Sequence, residues 1–369
     1  MATFPHHADM VGSLLRPQRL ADARAEWRQG RLAADELRPI EDEAITDLVA
    51  KEEAVGLPAV TDGEFRRDWW HLDFLAAIGG IGTAQRQRPK DFSGEGESPP
   101  IPIVVGKIHL DQPIMIDHFA FLRDTAQKAI PKITIPGPGM ANLMGGPKVI
   151  DREIYPDLDV FWADLVDAYR AEVDALYAAG CRYLQMDDVG FAYLCDADFR
   201  AQMVARGEDP DELVIRYRDA MNAAISGRPE DMIVSTHMCR GNFRSRWVAS
   251  GGYEPIAEPI FGGLDVDAFF LEFDSDRSGG FEPLRHLAAG KTAVLGLVTS
   301  KTAELEEPDD LRKRIDEASR FVPIEQLALS PQCGFSSTHH GNDITEDDQW
   351  RKLELVVGVA DSVWGGARP

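Results

Sequence analysis

Two potential metal ligands lie two positions apart in the segment VSTHMCRGNF, which covers residues 234–243. An apolar, β-like run ends there in His237, Met238 and Cys239, and a glycine then breaks the pattern. Because side chains two apart on a strand point to the same side, this imidazole and this thiol can face a common point. The spacing alone decides little, so other ligand types must be sought at equivalent places.

Two further strand ends supply such ligands. Glu272 lies near the end of the apolar run AFFLEFD, and Cys333 follows the run LALSPQ. A lone cysteine or histidine is usually a packing residue, and a lone glutamate can be an ion-pair partner. Two thiols, an imidazole and a carboxylate at the ends of neighbouring strands form a tetrahedral set that suits zinc. The sequence therefore predicts a zinc site made of His237, Cys239, Glu272 and Cys333.

The elements that must position these residues alternate along the chain. Short apolar runs recur, each followed by a longer stretch with helical spacing, at 8–13, 59–64, 132–138, 183–188, 233–239, 268–274, 293–299 and 327–334. Such runs are expected of parallel strands that are covered on both faces, and the stretch 157–179 has the apolar face of a helix. Eight strand–helix units predict an α/β fold, a (β/α)8 TIM barrel that forms a single domain over residues 1–369. A doubly wound open sheet is the alternative that strand counting leaves open.

One segment departs from this alternation. Residues 65–131, an insertion after strand 2, are too long for one helix and its turns. The insertion holds a polar stretch rich in Gly, Ser and Pro, followed by the alternating segment IPIVVGKIHL, which predicts a small hairpin. Loops that follow barrel strands lie on the catalytic face, so the insertion is a candidate lid. A surface decoration is the alternative.

Composition limits the classes of partner. Lys and Arg number 39 against 62 Asp and Glu, which gives a net charge of −23 and disfavours nucleic acid and anionic membranes. We find no signal-peptide pattern and no apolar segment of the ~18 residues that a membrane span needs. The cysteines are then expected to be thiols, with Cys181 and Cys195 in structural roles. The sequence predicts a soluble, cytoplasmic protein and leaves a homo-oligomer open.

The motifs together resemble a known family. MVGSLLRP, TDGEFRRDWW, LQMDD, THMCRGN, FFLEFDS and PQCGF occur in the order found in the zinc-binding catalytic barrel of cobalamin-independent methionine synthase and its short, single-barrel relatives. The resemblance implies a zinc-dependent methyltransferase of methionine biosynthesis, with Zn²⁺ on the four ligands named above. Zinc turns a thiol, whose pKa is about 8.5 when free, into a thiolate. A thiolate-rich ligand set suits alkyl transfer to sulfur better than activation of water.

The resemblance also implies roles outside the metal site. It implies that Ser13, Glu64 and Asp187 hold the amino-acid part of homocysteine, and we take Asp187 as a catalytic candidate as well. Lys301, in GLVTSKTAELE, stands where the synthases place a catalytic histidine. It is a candidate cation for an anionic substrate or a leaving oxygen, with a surface lysine as the alternative.

One departure from the family, and the variety of its short relatives, leave the substrates open. The full-length synthases carry a second, N-terminal barrel that this sequence does not contain, so the alkyl donor can be a folate, a methylcorrinoid or a small electrophile. Short relatives also include epoxyalkane–coenzyme M transferases, which add a thiol sulfonate to an epoxide. Carboxylates at Glu64 and Asp187 would repel a sulfonate, which favours an amino-acid thiol. A zinc hydrolase or lyase and a non-enzymatic zinc protein are further alternatives.

Basic and aromatic residues cluster in two of the motifs. FRRDWWHLDF and CRGNFRSRWV supply arginines beside tryptophans, namely Arg66, Arg67, Arg240, Arg244, Trp69, Trp70 and Trp247. Such a surface can bind a carboxylate, a phosphate or a flat ring, and an ion-paired rim is the alternative. His339 and His340 follow Cys333 closely, so one of them can approach the pocket.

Overall fold

Parallel strands form the centre of the molecule. The structure, a computed structural model, describes Phe4 and residues 6–85 and 100–366. In chain order the strands are β1 (Ala59–Val60), β2 (Gly79–Ala84), β3 (Ile101–His109), β4 (Ile130–Pro131), β5 (Ile133–Pro136), β6 (Tyr183–Asp187), β7 (Ile233–Met238), β8 (Ala268–Glu272), β9 (Thr292–Val298) and β10 (Leu327–Pro331). β5 to β10 pair side by side as one parallel, six-stranded sheet. Their residues are buried throughout, as strands covered on both faces must be.

Shorter pairings close this sheet into a barrel. β1 pairs in parallel with β4, which leads directly into β5. On the other side, Ala8 forms a parallel bridge with Leu329 of β10. The Leu14 amide then donates to the Gly63 carbonyl at 3.1 Å, which ties this first segment to the chain after β1. The predicted TIM barrel is confirmed, and the open sheet is excluded by the closure.

The helices cover the outside of the barrel. They are α1 (Gln18–Arg28), α2 (Ala34–Val55), α3 (Leu72–Leu75), α4 (Ile116–Thr125), α5 (Leu158–Ala178), α6 (Val189–Tyr193), α7 (Ala197–Ala205), α8 (Pro210–Ala224), α9 (Ala257–Phe261), α10 (Pro308–Ala318) and α11 (Glu346–Trp364). α5 matches the helix predicted over 157–179, with Phe161, Leu165 and Tyr169 on its buried face. The Asp157 carboxylate starts this helix by accepting the Asp159 amide at 2.9 Å. In the described part of the chain, the helices are all too short or too polar to span a bilayer.

The predicted insertion, residues 65–131, contains a two-stranded antiparallel sheet made of β2 and β3. β3 takes up most of IPIVVGKIHL as one continuous strand and pairs with β2, so that segment does not fold back on itself. The polar stretch between these strands, residues 86–99, lies outside the described residues. The Ile108 amide of β3 donates to the Tyr155 hydroxyl at 2.7 Å, which fastens the sheet to the loop before α5. Its role as a lid stays a prediction.

A buried glutamate on α2 predicts a stability change with pH. Glu52 is fully buried, and burial raises its pKa well above the usual value. Since the folded pKa of this acid exceeds the unfolded one, stability falls as pH rises above about 4.3, the pKa of an unfolded glutamate. Glu52→Gln removes the buried charge and should stabilise the protein at pH 8 by at least about 1 kcal/mol, measured as a higher Tm.

The adjacent residue provides the control. Glu53 accepts the amides of Gln127, Lys128 and Ala129 through one oxygen, and its pKa is lowered because these hydrogen bonds outweigh desolvation. Glu53→Gln should therefore lower the Tm at pH 8. A Glu52→Gln gain that is as large at pH 5 as at pH 8 would contradict the ionisation argument.

Candidate metal centre and acceptor pocket

Three sulfur and nitrogen ligands converge at the carboxyl ends of the strands. His237 is the penultimate residue of β7, Cys239 follows that strand, and Cys333 follows β10. One ligand atom of each lies within 4.8 Å of the others, and all three residues are buried. The two Sγ atoms are 3.2 Å apart. Parallel strands bring these residues together because their carboxyl ends meet at one face of the barrel.

The imidazole is oriented for coordination. His237 Nδ1 lies 3.3 Å from the Phe270 carbonyl, which can only accept, so Nδ1 carries the proton. Nε2 is buried, and the imidazole interacts with the Cys333 side chain. Metal-binding histidines commonly direct one ring nitrogen at the ion and donate from the other to a carbonyl or carboxylate. Together with two thiols, this imidazole fits Zn²⁺.

The two thiols lie within hydrogen-bond distance of each other. The pKa of Cys333 is lowered well below its usual range because Cys239 donates a hydrogen bond to it and His237 and Lys301 lie nearby. The same hydrogen bond and burial raise the pKa of Cys239. Burial disfavours the charged form of His237, but the neighbouring Cys333, Asp187 and Glu272 outweigh it and raise the histidine pKa. Cys333 is thus the thiol whose ionised form its surroundings favour.

Glu272 stands outside the group of three. It is completely buried at the end of β8, and its oxygens are held by cations and amides. Oε1 accepts the Arg240 amide at 3.2 Å and the Gln332 side chain at 3.4 Å, while Oε2 accepts Arg277 at 3.2 Å. Its role as a fourth ligand stays a prediction.

The surroundings of Glu272 predict that zinc retention depends less on this residue than on the other three ligands. Glu272→Gln should leave most of the bound zinc in place, because the three remaining ligands do not depend on this carboxylate for their position. The measurement is the zinc content of the purified variant after dialysis, compared with the wild type. Loss of all zinc would show that Glu272 is an essential ligand.

Lys301 lies beside the same carboxylate. It follows β9, is only 8 % exposed, and its Nζ is 4.0 Å from Glu272 Oε1. Nζ makes no hydrogen bond to any described residue. The charge of Lys301 helps to lower the pKa of Cys333, and it opposes the rise in the pKa of Cys239. The alternative of a surface lysine is therefore wrong.

The acidic residues of the predicted acceptor site lie next to the metal ligands. Asp187 ends β6 and is the register partner of His237 on β7. Burial raises the pKa of Asp187 to about 7; His237 opposes this rise and the Glu64 carboxyl adds to it. Burial also raises the pKa of Glu64, whose Oε1 accepts the Thr134 hydroxyl at 3.0 Å. The Glu64 carboxyl raises the pKa of Asp187, so a cation bound between the two groups would stabilise their charged forms.

Backbone geometry fixes two of the pocket residues. Glu64 has a φ of 58°, a left-handed conformation that costs a non-glycine residue about 1–3 kcal/mol and is often found at functional sites. Ser13 is buried, and its Oγ accepts the Ser336 amide at 3.4 Å. A Cβ on Gly334 would lie 2.0 Å from that Oγ, so the turn after Cys333 must carry glycine there.

Most of the predicted arginine surface is internal. Arg66 pairs with Asp42, Arg67 donates to the Thr134 carbonyl, and Arg240 is fully buried against Tyr253 and the Gly251 carbonyl. Arg244 alone of the four predicted arginines is exposed.

Aromatic rings gather at the mouth of the barrel. The rings of His339 and His340 both lie against Trp69, at centroid distances of 5.8 and 6.1 Å, and His340 also contacts Phe243. Cys181 and Cys195 lie apart from these rings and from the metal ligands, and donate to the carbonyls of Tyr183 and Phe191.

The sequence analysis did not identify Lys132 and Gln185, which lie below Asp187 inside the barrel. Both are fully buried, and Gln185 donates to Asp187 Oδ1 at 2.8 Å. The available signal was a polar side chain in an apolar strand, two positions before Asp187 and hence on the same side.

Comparison with known proteins places this barrel among methyltransferases. Residues 7–360 match the family model described as the cobalamin-independent synthase catalytic domain. The uncharacterized protein YxjG of Bacillus subtilis is 45 % identical over 361 residues, which cover 98 % of this chain and 95 % of YxjG. The chain belongs to the cobalamin-independent methionine synthase family.

Solved structures agree with this assignment. A Listeria monocytogenes protein, provisionally named a vitamin-B12 independent methionine synthase, is 36 % identical with a TM-score of 0.79, over 99 % of this chain and all of that one. A B12-independent methionine synthase from Shewanella sp. W3-18-1, solved with selenomethionine, is 19 % identical with a TM-score of 0.72, over 98 % of each chain. The second of these supports the fold alone.

Proposed function

We propose that this protein catalyses zinc-dependent transfer of a methyl group to the thiol of homocysteine or a closely related amino-acid thiol. The observation that carries the proposal is the convergence of His237, Cys239 and Cys333 beside the buried carboxyl groups of Asp187 and Glu64. Family membership supports methyl transfer as the reaction class.

His237, Cys239 and Cys333 would hold the metal, with Glu272 as the predicted fourth ligand. Bound zinc would keep the acceptor thiol as a thiolate, and hence nucleophilic, at neutral pH. The protein itself contributes a buried site in which water competes poorly and charges interact strongly. It also fixes the imidazole through the Phe270 carbonyl.

The acceptor pocket fits an amino acid. Asp187 and Glu64 would pair with the ammonium group, which would offset the cost of burying their negative charge. Arg67 Nη1 already lies 3.9 Å from Glu64 Oε1, so the ammonium group would be the second cation near Glu64. Ser13 would meet the carboxylate of the same amino acid through its hydroxyl and neighbouring backbone. A thiol sulfonate such as coenzyme M has no ammonium, and its negative charge would face two buried carboxyl groups. The epoxide reaction is therefore the weaker alternative.

Lys301 supplies the positive charge on the donor side in this proposal. As the methyl carbon bonds to the acceptor sulfur, the bond to the donor breaks and its electron pair stays with the donor. A cation nearby stabilises that developing negative charge. The donor is a folate, a methylcorrinoid or a small alkyl electrophile; the residues that we describe favour none of the three.

Cobalt substitution tests the proposal without knowledge of the donor. Sulfur ligation to Co²⁺ gives a charge-transfer band, to which Cys239 and Cys333 would already contribute. Homocysteine should therefore intensify this band, by an amount that saturates with concentration. Methyl transfer to homocysteine should then be detected with 5-methyltetrahydrofolate or methylcobalamin as donor. A band that no added thiol changes, or turnover that needs no acceptor thiol, would overturn the proposal in favour of a zinc hydrolase, a lyase or a non-enzymatic protein.

A further inference from the structure

A row of buried side chains leads from inside the barrel to Asp187. Its first member is Lys132, which is completely buried between β4 and β5. The ammonium donates to Asp9 Oδ1 at 2.9 Å, to Gln185 Oε1 at 3.2 Å and to the Met10 carbonyl. A lysine has three N–H donors, so each has its own acceptor and the position of Nζ is fixed.

Lys132 and Asp9 form a buried ion pair whose polar atoms all have hydrogen-bond partners. Asp9 Oδ1 also accepts the Met10 amide at 2.7 Å, and Oδ2 accepts the Tyr183 hydroxyl at 2.7 Å. Desolvating a lysine and an aspartate is costly, and an apolar pair of similar volume often stabilises a core better. The presence of this pair in the barrel interior therefore calls for an explanation other than stability.

Lys132 determines which way the Gln185 amide points. Gln185 Nε2 donates to the Val11 carbonyl at 2.6 Å and to Asp187 Oδ1 at 2.8 Å, while Oε1 receives Lys132. Rotating the amide by half a turn would place its NH₂ against the ammonium and its oxygen against two acceptors. All three contacts would become repulsive, so only one orientation is compatible with Lys132.

The fixed amide in turn orients the Asp187 carboxylate. Because Gln185 occupies Oδ1, the carboxylate plane is held and Oδ2 is left for a ligand. We infer that Lys132 and Gln185 are positioning residues that aim Asp187 at the ammonium group of the acceptor and thereby make the site selective for an amino-acid thiol. This inference rests on the proposed function, since it presupposes that an amino-acid thiol binds there.

The test compares two thiols that differ only in the amino group. The probes are homocysteine and 4-mercaptobutanoate, and the readout is the dissociation constant of each from the Co²⁺-substituted protein, measured by the charge-transfer band. The wild type should prefer homocysteine. Gln185→Met, which keeps the side-chain length but removes the amide, should lower this preference by roughly tenfold, the value of a hydrogen bond to a charged group. Binding of 4-mercaptobutanoate should change little.

A matched control separates positioning from general damage. Gln326, like Gln185, donates two hydrogen bonds, in its case to the carbonyls of Ala288 and Lys291. It lies just before β10, at the opposite end of the barrel. Gln326→Met should keep the wild-type preference. Lys132→Met should lower the preference for homocysteine in the same way as Gln185→Met. If Lys132→Met does not fold, Gln185→Met alone is the test.

The outcomes are distinct. An unchanged preference in Gln185→Met, or an equal loss of affinity for both thiols, would overturn the positioning role while leaving the proposed function intact. A charge-transfer band that neither thiol changes in the wild type would overturn the proposed function and the positioning role with it.

Discussion

Replacing Cys239 or Cys333 with serine should remove nearly all bound zinc from the purified protein. A serine hydroxyl is a far poorer ligand than a thiolate, which zinc binds in its deprotonated form. Changes to residues that only support the ligands can cost about 10- to 100-fold in metal affinity, so loss of a thiolate ligand should cost more than about 100-fold. Metal analysis after dialysis against a weak chelator measures the effect, and methyl transfer should be lost in parallel.

The chain contains its own controls for this experiment. Cys181 and Cys195 are buried as completely as the two ligand candidates, but each donates only to a nearby carbonyl. Cys181→Ser and Cys195→Ser should therefore keep the zinc content of the wild type. Equal zinc in all four variants would show that the metal, if any, is held elsewhere.

Asp187→Asn should raise KM for homocysteine by at least roughly 30-fold, because removing one partner of a buried charge pair costs about 2–5 kcal/mol. Asparagine keeps the shape and can still accept the hydrogen bond from Gln185, so the loss reports the missing charge. The assay belongs at pH 8, because a carboxyl group with a pKa of about 7 is ionised there. Zinc content should not change, which distinguishes this variant from the cysteine substitutions.

The neighbouring residue is the appropriate comparison. Asp188 has a pKa that burial likewise raises to about 7, but its Oδ1 accepts the Gly190 amide and so begins α6. Asparagine is as good as aspartate in such a cap, so Asp188→Asn should leave KM near the wild-type value. If Asp187→Asn and Asp188→Asn affect KM equally, ammonium recognition by Asp187 is refuted.

The barrel could be predicted because each of its buried strands is a short apolar run that ends in polar residues. The runs around β6, β7 and β8 met this description and lie within a residue or two of the strands in the structure. The hairpin was harder to predict, because β3 pairs with β2 across the polar stretch, and pairing partners that far apart are not encoded in local alternation. The two-residue strand β4 is too short to give a periodic signal, whereas β1 lies within the predicted run 59–64.

Only the site residues that lie at the ends of strands could be predicted from the sequence. His237, Cys239 and Cys333 share a strand-end position, which identifies them without coordinates. The surroundings of Glu272 could not be predicted, since Arg240 and Arg277 reach it from loops whose course depends on tertiary packing. The prediction of a binding surface at Arg66 and Arg67 was wrong for the same reason. Their sequence context gives no sign that acidic groups and carbonyls cover them.

Closure of the barrel by its first and last segments has a consequence for biosynthesis. His7 Nδ1 donates to the Leu327 carbonyl across 320 residues at 3.0 Å, and the same contact region brings Ser13 to the turn that carries Cys333. Such distant pairing forms late in folding because a long loop must close first. A nascent chain on the ribosome would hold His237 and Cys239 well before Cys333 had been translated. Metal uptake should therefore be among the last events in the maturation of this protein.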